Sequence, residues 1–410
     1  MLNISNLKSR YIPVHSIGFI YRNNCQWWNE NAAFNYPNVL LNLNTFTPEE
    51  SKKYIPDNVF LLTDSGGFQV ISGMCNFDWK ESLQRQINLN ATKIFSFDIP
   101  PVKRKTEGQN AWISMVESEV KATIEKNVET ALLQSQWLKE NRPDRLNRLC
   151  YVMQATSVAT MKYNLEYLEG RIGMENYTKY FPGGIVASCK SQDILLYAIV
   201  ARYLYENFIQ KGIYVHYLGI GSFYKMIITV RNELTTFDSS NVLRGISNWE
   251  VYNPVSPFKS FRMSSENFYT LKNFCVCPNC SRTDFNKLLE EEKSVDIGCG
   301  FVMHNLYFHL MMNSFLDSID KKQYTKIVTD NFKLPENVQR ALKFCDDCEI
   351  KGFEIALADN KRYLNIDTSQ QTTIDYLNKK QEGLAIEEQE RFNIVQEEED
   401  QIYEDKRVNI

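Results

Sequence analysis

Short apolar runs alternate with amphipathic stretches from the amino terminus to about residue 238. The runs are rich in Val, Ile, Leu and Phe and are typical of buried β-strands. Between them, apolar residues recur three and four positions apart, which predicts helices, most clearly at residues 111–139, 192–210 and 223–234. Seven strands are predicted, at residues 39–43, 59–63, 94–97, 149–153, 184–187, 215–218 and 235–237.

This alternation predicts an α/β protein built from βα units. Parallel strands need long crossovers, usually helices, and the intervals supply them. The strand count approaches the eight of a closed TIM (β/α)8 barrel, while a doubly wound open sheet is the alternative. We expect a barrel over residues 1–270, an inserted or appended zinc-binding subdomain over 271–325, and a helical extension with an acidic tail over 326–410.

Composition is that of an ordinary folded protein, with 43% hydrophobic and 23% charged residues, so a large core is expected without disulfides. The amino terminus has no export pattern, and ten cysteines in such a chain favour reduced thiols and metal ligation. We therefore expect a cytoplasmic protein. No membrane span is expected, because the most apolar helical stretch carries Arg202 and Glu206.

A cysteine cluster predicts a metal site. Cys275, Cys277 and Cys280 place three thiols within six residues, and His304 follows on a predicted helix at residues 303–316. Three thiolates and one imidazole suit a closed tetrahedral Zn²⁺ site, which holds a fold together and leaves no open position for water.

Other cysteines compete for this role. Cys299 is one alternative ligand, and the pair Cys345 and Cys348 forms a weak half-site by itself. His309 lies more than one helical turn beyond His304, so we expect it to face elsewhere.

Polar residues follow several of the predicted strands. Asp64, Asp98, Gln154 and Asp238 each stand at the carboxyl end of one, where the loops of a barrel converge and its chemistry is carried out. A single Asp after a strand commonly caps the next helix. Two carboxylates facing one glycosidic carbon are what sugar–base exchange needs, because one attacks the carbon and the other handles the proton of the departing base.

Residues 63–69, TDSGGFQ, resemble the signature of tRNA-guanine transglycosylases at seven successive positions. The other matches occur in the order of that family, and the resemblance covers roughly residues 15 to 310. They are VMQ at 152–154, PGGI at 182–185, YLGIG at 217–221 and the pair Phe237-Asp238.

The resemblance implies a role for each matched residue. Asp238 is the expected nucleophile and Asp64 the general acid and base. Asp98 and Gln154 are expected to bind the base edge, with Gly183 and Gly184 beside it. Independently of the resemblance, Phe68 and Leu218 are candidate walls of a pocket for the unstacked base, with ordinary core packing as the alternative. The expected substrate-binding set is Ser65, Phe68, Asp98, Gln154, Gly183, Gly184, Leu218 and Gly219.

The sequence differs from the tRNA enzymes at positions that in those enzymes bind the nucleic acid and the incoming base. The basic segment that engages tRNA after the nucleophile retains only Arg244, and a net charge of -4 leaves phosphate binding to local clusters. Lys103, Arg104 and Lys105 form one such cluster, with a solvated loop as the alternative.

Near Cys189 the acid that holds an aminomethyl group in bacterial relatives is missing, which favours a neutral base such as 7-cyano-7-deazaguanine. The pattern is most similar to the DpdA-type branch, which inserts 7-deazaguanine into DNA in bacterial and phage systems. DNA is therefore the expected polymer and tRNA the alternative, with partner proteins of a DNA-modification system also expected.

Three other functions each fit part of the sequence. A non-catalytic partner subunit would have lost the carboxylates, yet Asp64 and Asp238 are both present. A plain zinc-dependent DNA-binding protein explains the cysteines but not TDSGGFQ. A glycoside hydrolase also uses two carboxylates, and would release sugar from polysaccharide rather than guanine from nucleic acid.

Overall fold

In a computed structural model, eight parallel strands form one sheet. The structure describes residues 7–15, 26–30, 32–43, 47–72, 75–104, 112–188, 193–243, 250–262, 265–282 and 295–363. The eight strands are β1 (Arg10–His15), β2 (Asn38–Leu41), β3 (Phe60–Thr63), β4 (Ile94–Phe95), β7 (Leu149–Gln154), β8 (Gly184–Ser188), β9 (Val215–Tyr217) and β10 (Thr236–Ser239). Two antiparallel hairpins lie outside this sheet. One pairs β5 (Val102–Arg104) with β6 (Trp112–Ser114), and the other pairs β11 (Glu250–Asn253) with β12 (Ser256–Arg262).

The sheet curls into a nearly closed barrel. Strands pair in the order β3-β2-β1-β10-β9-β8-β7-β4, so the first strand lies beside the last, with Ile12 opposite Asp238. A parallel bridge between Leu62 and Lys93 connects β3 to the residue before β4. This arrangement excludes the open doubly wound sheet and confirms the α/β barrel.

Side chains alternate between the barrel interior and the helices outside it, as the period of two in a strand requires. Ile12, Leu62 and Val186 belong to a cluster of buried residues inside the barrel. Tyr11 and Ile185 belong to the larger core between the strands and the helices. The interior is therefore packed with side chains below the mouth where the strands end.

The described helices cover the outside of the barrel and continue beyond it. They are α1 (Pro48–Tyr54), α2 (Gly67–Ser72), α3 (Trp79–Asn88), α4 (Glu117–Asn141), α5 (Pro143–Leu146), α6 (Val158–Ile172), α7 (Tyr177–Tyr180), α8 (Ile194–Asn207), α9 (Phe223–Arg231), α10 (Ser265–Phe274), α11 (Val295–Asp317), α12 (Tyr324–Asn331), α13 (Glu336–Lys351) and α14 (Phe353–Ala358).

Helix α11 belongs to both the barrel and the cysteine cluster. Its first half carries His304, while Asn313 in its second half accepts a hydrogen bond from the backbone of Tyr11 and donates one to that of Ser9, in and beside β1. Along the chain, an insertion therefore separates the last barrel strand, β10, from helix α11, which packs against β1. This insertion contains the hairpin β11–β12, helix α10 and the cysteines.

Helices α12 to α14 dock on the barrel through charged side chains. Arg231 of α9 is 2% exposed and contacts Asp346 and Glu349 of α13 at 2.8 Å each. Residues 364–410, which include the predicted acidic tail, lie outside the described residues. Within the described chain, no helix is both long and apolar enough to traverse a bilayer.

Most predicted strands are present within one or two residues of their predicted bounds, but β1 and both hairpins were not predicted. Pro13 lies within β1, and a proline in an apolar run is evidence against a central strand. The helix expected from residue 111 begins at Glu117, because residues 112–114 form a hairpin strand instead.

Candidate active site and metal centre

Asp64 follows β3 directly, and two hydrogen bonds hold its carboxylate. The backbone N–H of Leu43 donates to Oδ1 at 2.8 Å, and Nε2 of Gln69 donates to Oδ2 at 3.0 Å. Burial raises the pKa of Asp64 to about 6, although these hydrogen bonds oppose the increase. Its carboxyl group can therefore gain or lose a proton near neutral pH, as a general acid or base must.

Asp98, just beyond β4, is 5% exposed, and both of its carboxylate oxygens are occupied. The hydroxyl of Ser65 donates to Oδ1, and Nε2 of Gln154 donates to Oδ2, at 2.5 Å each. This clamp fixes the carboxylate plane, which prepares Asp98 to accept hydrogen bonds from a flat ligand without first reorganising.

Asp238 lies within β10 and is 7% exposed. The backbone N–H of Gly219 donates to its Oδ1 at 2.9 Å, and Nε2 of His216 lies 3.3 Å from the same oxygen. Among the described residues, Oδ2 has no hydrogen-bond partner. One oxygen is thus held by the protein and the other is available for a ligand.

These three carboxylates occupy one end of the barrel. Asp64 and Asp98 follow their strands, Asp238 is the third of the four residues of its strand, and Gln154 ends β7. The negative charges of Asp98 and Asp238 also contribute to the raised pKa of Asp64, so the three groups are close enough to interact electrostatically. The structure therefore brings the predicted carboxylates and Gln154 to one mouth.

The glycine pair at 183 and 184 lies at the opposite end. Gly184 begins β8 and stands opposite Cys150, near the amino end of β7. A Cβ at Gly183 would lie 2.4 Å from the carbonyl oxygen of Arg148, and one at Gly184 would lie 2.3 Å from that of Tyr214. Backbone packing explains both glycines, and they do not join the carboxylates as expected.

The glycines of TDSGGFQ, in contrast, shape the mouth. Gly66 has φ of +77°, in the left-handed region that favours glycine. A Cβ on Gly67 would overlap the carbonyl oxygen of Asp98, only 1.6 Å away. These two residues let the chain after β3 approach the end of β4 closely enough for Ser65 to reach Asp98.

The expected walls have packing roles in this structure. Phe68 is half-buried and contacts Val102 of the hairpin β5–β6. Leu218 is partly buried and packs on the apolar residues inside the barrel. Gly219, with φ of +77°, contributes its N–H to Asp238.

The expected phosphate contacts are only partly described. Lys103 lies in β5 and pairs with Glu119 at 2.5 Å, which offsets part of its charge. Arg104 ends the same strand, but its side chain lies outside the described residues, as do Lys105 and Arg244 entirely.

The predicted metal ligands converge. One ligand atom from each of Cys275, Cys277, Cys280 and His304 lies within 4.8 Å of every other. The three sulfurs lie 3.3, 3.5 and 3.3 Å from Nδ1 of His304. Ligands of a tetrahedral Zn²⁺ ion at normal bond lengths stand about 3.6 Å apart, so the cluster is compatible with zinc.

A backbone carbonyl orients the histidine. Nε2 of His304 donates to the carbonyl oxygen of Tyr252 in β11 at 2.9 Å, which leaves the lone pair of Nδ1 facing the sulfurs. Hydrogen bonds from the thiols of Cys277 and Cys280 lower the pKa of Cys275, so a thiolate forms readily. Both features prepare the cluster for a cation.

The competing thiols occupy other places. Cys345 and Cys348 are buried in α13, and Cys345 accepts a hydrogen bond from Asn232. Burial raises the pKa of Cys348 to about 12, as expected for an inert packed thiol. Cys299 lies in α11, with its side chain outside the described residues. His309 stacks on aromatic rings in the core, where burial lowers its pKa to about 3.

His216 was not identified from the sequence. It is the middle residue of the three-residue strand β9 and is fully buried, so no strand-end signal marks it. His216 stands opposite Thr236 in the neighbouring strand, and this register brings its ring to within 3.3 Å of the Asp238 carboxylate.

No protein-family model matches this chain, and no curated protein is significantly similar to it in sequence.

Proposed function

We propose that this protein is a base-exchange transglycosylase that replaces guanine in DNA with a 7-deazaguanine, and that 7-cyano-7-deazaguanine is the incoming base. The observation that carries the proposal is that Asp64, whose pKa is raised to about 6, lies at the same mouth of the barrel as Asp238, whose Oδ2 has no hydrogen-bond partner among the described residues. The similarity of residues 63–69 to the transglycosylase signature supplies the substrate class.

The reaction balances in two halves. Oδ2 of Asp238 bonds to the anomeric carbon as the bond from that carbon to N9 of guanine breaks, and Asp64 gives its proton to the departing base. The incoming base then returns a proton to Asp64 from its ring nitrogen. That nitrogen bonds to the anomeric carbon as the bond from the carbon to Asp238 breaks, which restores both carboxyl groups to their starting states.

Asp98 and Gln154 are proposed to bind the base edge. A guanine ring presents N–H donors on its Watson–Crick edge, and a clamped carboxylate is a strong acceptor for them. The target nucleotide must leave its stack to reach the mouth. Gly183 and Gly184 are not included in this pocket, because they lie at the other end of the barrel.

Zinc is proposed to have a structural role. Three thiolates and His304 fill the coordination sphere of the ion, so it would hold β11–β12, α10 and α11 together without touching the substrate.

One labelling experiment tests the function. The full chain is incubated with radiolabelled guanine or 7-cyano-7-deazaguanine and with either duplex DNA or tRNA. We expect label to enter DNA, and Asp238→Ala to abolish the incorporation. The matched control Asp57→Ala removes an exposed Asp outside the mouth and should leave incorporation unchanged.

Each other outcome has a defined meaning. Label in tRNA alone assigns the tRNA reaction instead. Exchange that persists in Asp238→Ala contradicts the nucleophile. No label in either polymer, with both bases offered, overturns the proposed function.

A further inference from the structure

A row of polar side chains, Tyr214, Thr236 and His216, leads through the barrel interior to Asp238 at the mouth. The hydroxyl of Tyr214 lies 2.6 Å from Oγ1 of Thr236, which lies 2.8 Å from Nδ1 of His216. Nε2 of the same ring lies 3.3 Å from Oδ1 of Asp238. His216 and Thr236 are buried, so neither can exchange these contacts for water.

For a neutral imidazole, the hydrogens in this row of side chains have two consistent arrangements. In one, Tyr214 donates to Thr236 and Thr236 donates to Nδ1, which leaves the ring hydrogen on Nε2. In the other, Nδ1 carries the hydrogen and the bare lone pair of Nε2 faces a carboxylate oxygen. The second places two acceptors 3.3 Å apart in a buried site, which is repulsive, so the first is favoured.

The contact between His216 and Asp238 is incomplete. It is within ion-pair distance but does not have the geometry of a regular hydrogen bond, and Nε2 has no other partner in the described part of the chain. A buried N–H without an acceptor is destabilising, because it has lost its hydrogen bond to water. Catalytic hydrogen bonds are often poorly aligned before substrate binds and tighten in the complex.

We propose that His216 is a positioning residue for Asp238. Its Nε2–H, together with the N–H of Gly219, holds Oδ1 so that Oδ2 points at the anomeric carbon. The ring touches neither substrate nor base, and the inference rests on the proposed function for its catalytic consequence.

Kinetics test this consequence. We expect His216→Phe, which fills the space without a donor, to lower kcat for base exchange about 100-fold, because a misplaced nucleophile loses alignment. The KM for the incoming base should change less than about threefold, since ground-state binding is untouched. His216→Gln can present its Nε2 as a donor, so its kcat should be at least about tenfold higher than that of His216→Phe.

Thr236→Val provides a second variant of nearly the same shape, in case the larger Phe disturbs folding. It removes the donor to Nδ1 and should lower kcat severalfold while zinc content stays unchanged. Full kcat in both His216→Phe and Thr236→Val would overturn the inference.

A measurement without turnover separates this inference from the function itself. The chain contains four histidines, so ¹⁵N-histidine NMR resolves each ring, and His216→Gln assigns the signal of interest. We expect the tautomer with hydrogen on Nε2, and a shift of that proton in Asp238→Ala. An Nδ1–H tautomer, or an Nε2 proton signal that does not shift in Asp238→Ala, overturns the positioning role even if base exchange is active.

Discussion

Gly67 packs directly on the carbonyl group of Asp98, with no room for a side chain between them. This contact joins the end of β3 to the end of β4. It allows Ser65 and Asp98 to form their hydrogen bond across the mouth of the barrel.

Gly67→Ala should therefore destabilise the fold and the site together. The added Cβ would lie 1.6 Å from a backbone oxygen that cannot rotate away, and we expect a loss of about 3 kcal/mol or more. Gly170→Ala is the matched control, because nothing lies within 4 Å of its Cβ in helix α6. It should gain about 0.5–1 kcal/mol in urea unfolding. Equal stabilities for the two variants would contradict this account of the glycine.

The carboxylates were predictable because a strand followed by Asp is visible in the sequence, and parallel strands bring their carboxyl ends together. His216 was not, because an interior position in mid-strand becomes apparent only from the register of β9 with β10. A strand beginning at Gly184 was predicted and is present, but the resemblance assigned Gly183 and Gly184 to the base pocket. The start of a parallel strand lies at the end of the barrel opposite the carboxylates, so the assignment was wrong. Strand β1 was missed at Pro13.

The stability of Asp64→Asn relative to wild type should increase as the pH rises. Burial raises the pKa of Asp64 to about 6, above its ordinary value near 4, so the folded wild type holds this proton more tightly than the unfolded chain does. The resulting stabilisation is complete below about pH 4 and is lost as pH rises to about 6. The free energy of unfolding of Asp64→Asn relative to wild type should thus increase by about 1–3 kcal/mol between pH 4 and pH 7. A difference that is constant over this range would contradict the raised pKa.

Metal removal should unfold the region around the cysteines. We expect about one zinc per chain by atomic absorption. Cys277→Ser should lose most of the zinc and lower the thermal midpoint by about 5 °C or more, because the metal links three elements. Cys75→Ser is the control for thiol number, since Cys75 lies outside the cluster. Retention of zinc in Cys277→Ser would show that other residues bind it.

Arg231→Ala should weaken the docking of the C-terminal helices. It removes the guanidinium from Asp346 and Glu349, but both carboxylates are about one-third exposed and Glu349 keeps its contact with Arg202, so we expect a cost of about 1.5–3 kcal/mol. Lys343→Ala breaks an exposed pair with Asp347 on the same helix and should cost no more than about 1 kcal/mol. Limited proteolysis after residue 317, followed with urea unfolding, distinguishes the two. Similar cleavage rates would contradict a dominant role for Arg231.

The pairing of β1 with β10 has a consequence for biosynthesis. Arg10 stands opposite Thr236, so the first strand emerges from the ribosome 226 residues before its partner. At about 5–20 residues per second, its unpaired edge waits about 10–45 s. During that interval the nascent chain exposes an apolar strand edge, and its yield should depend on chaperones that shield it.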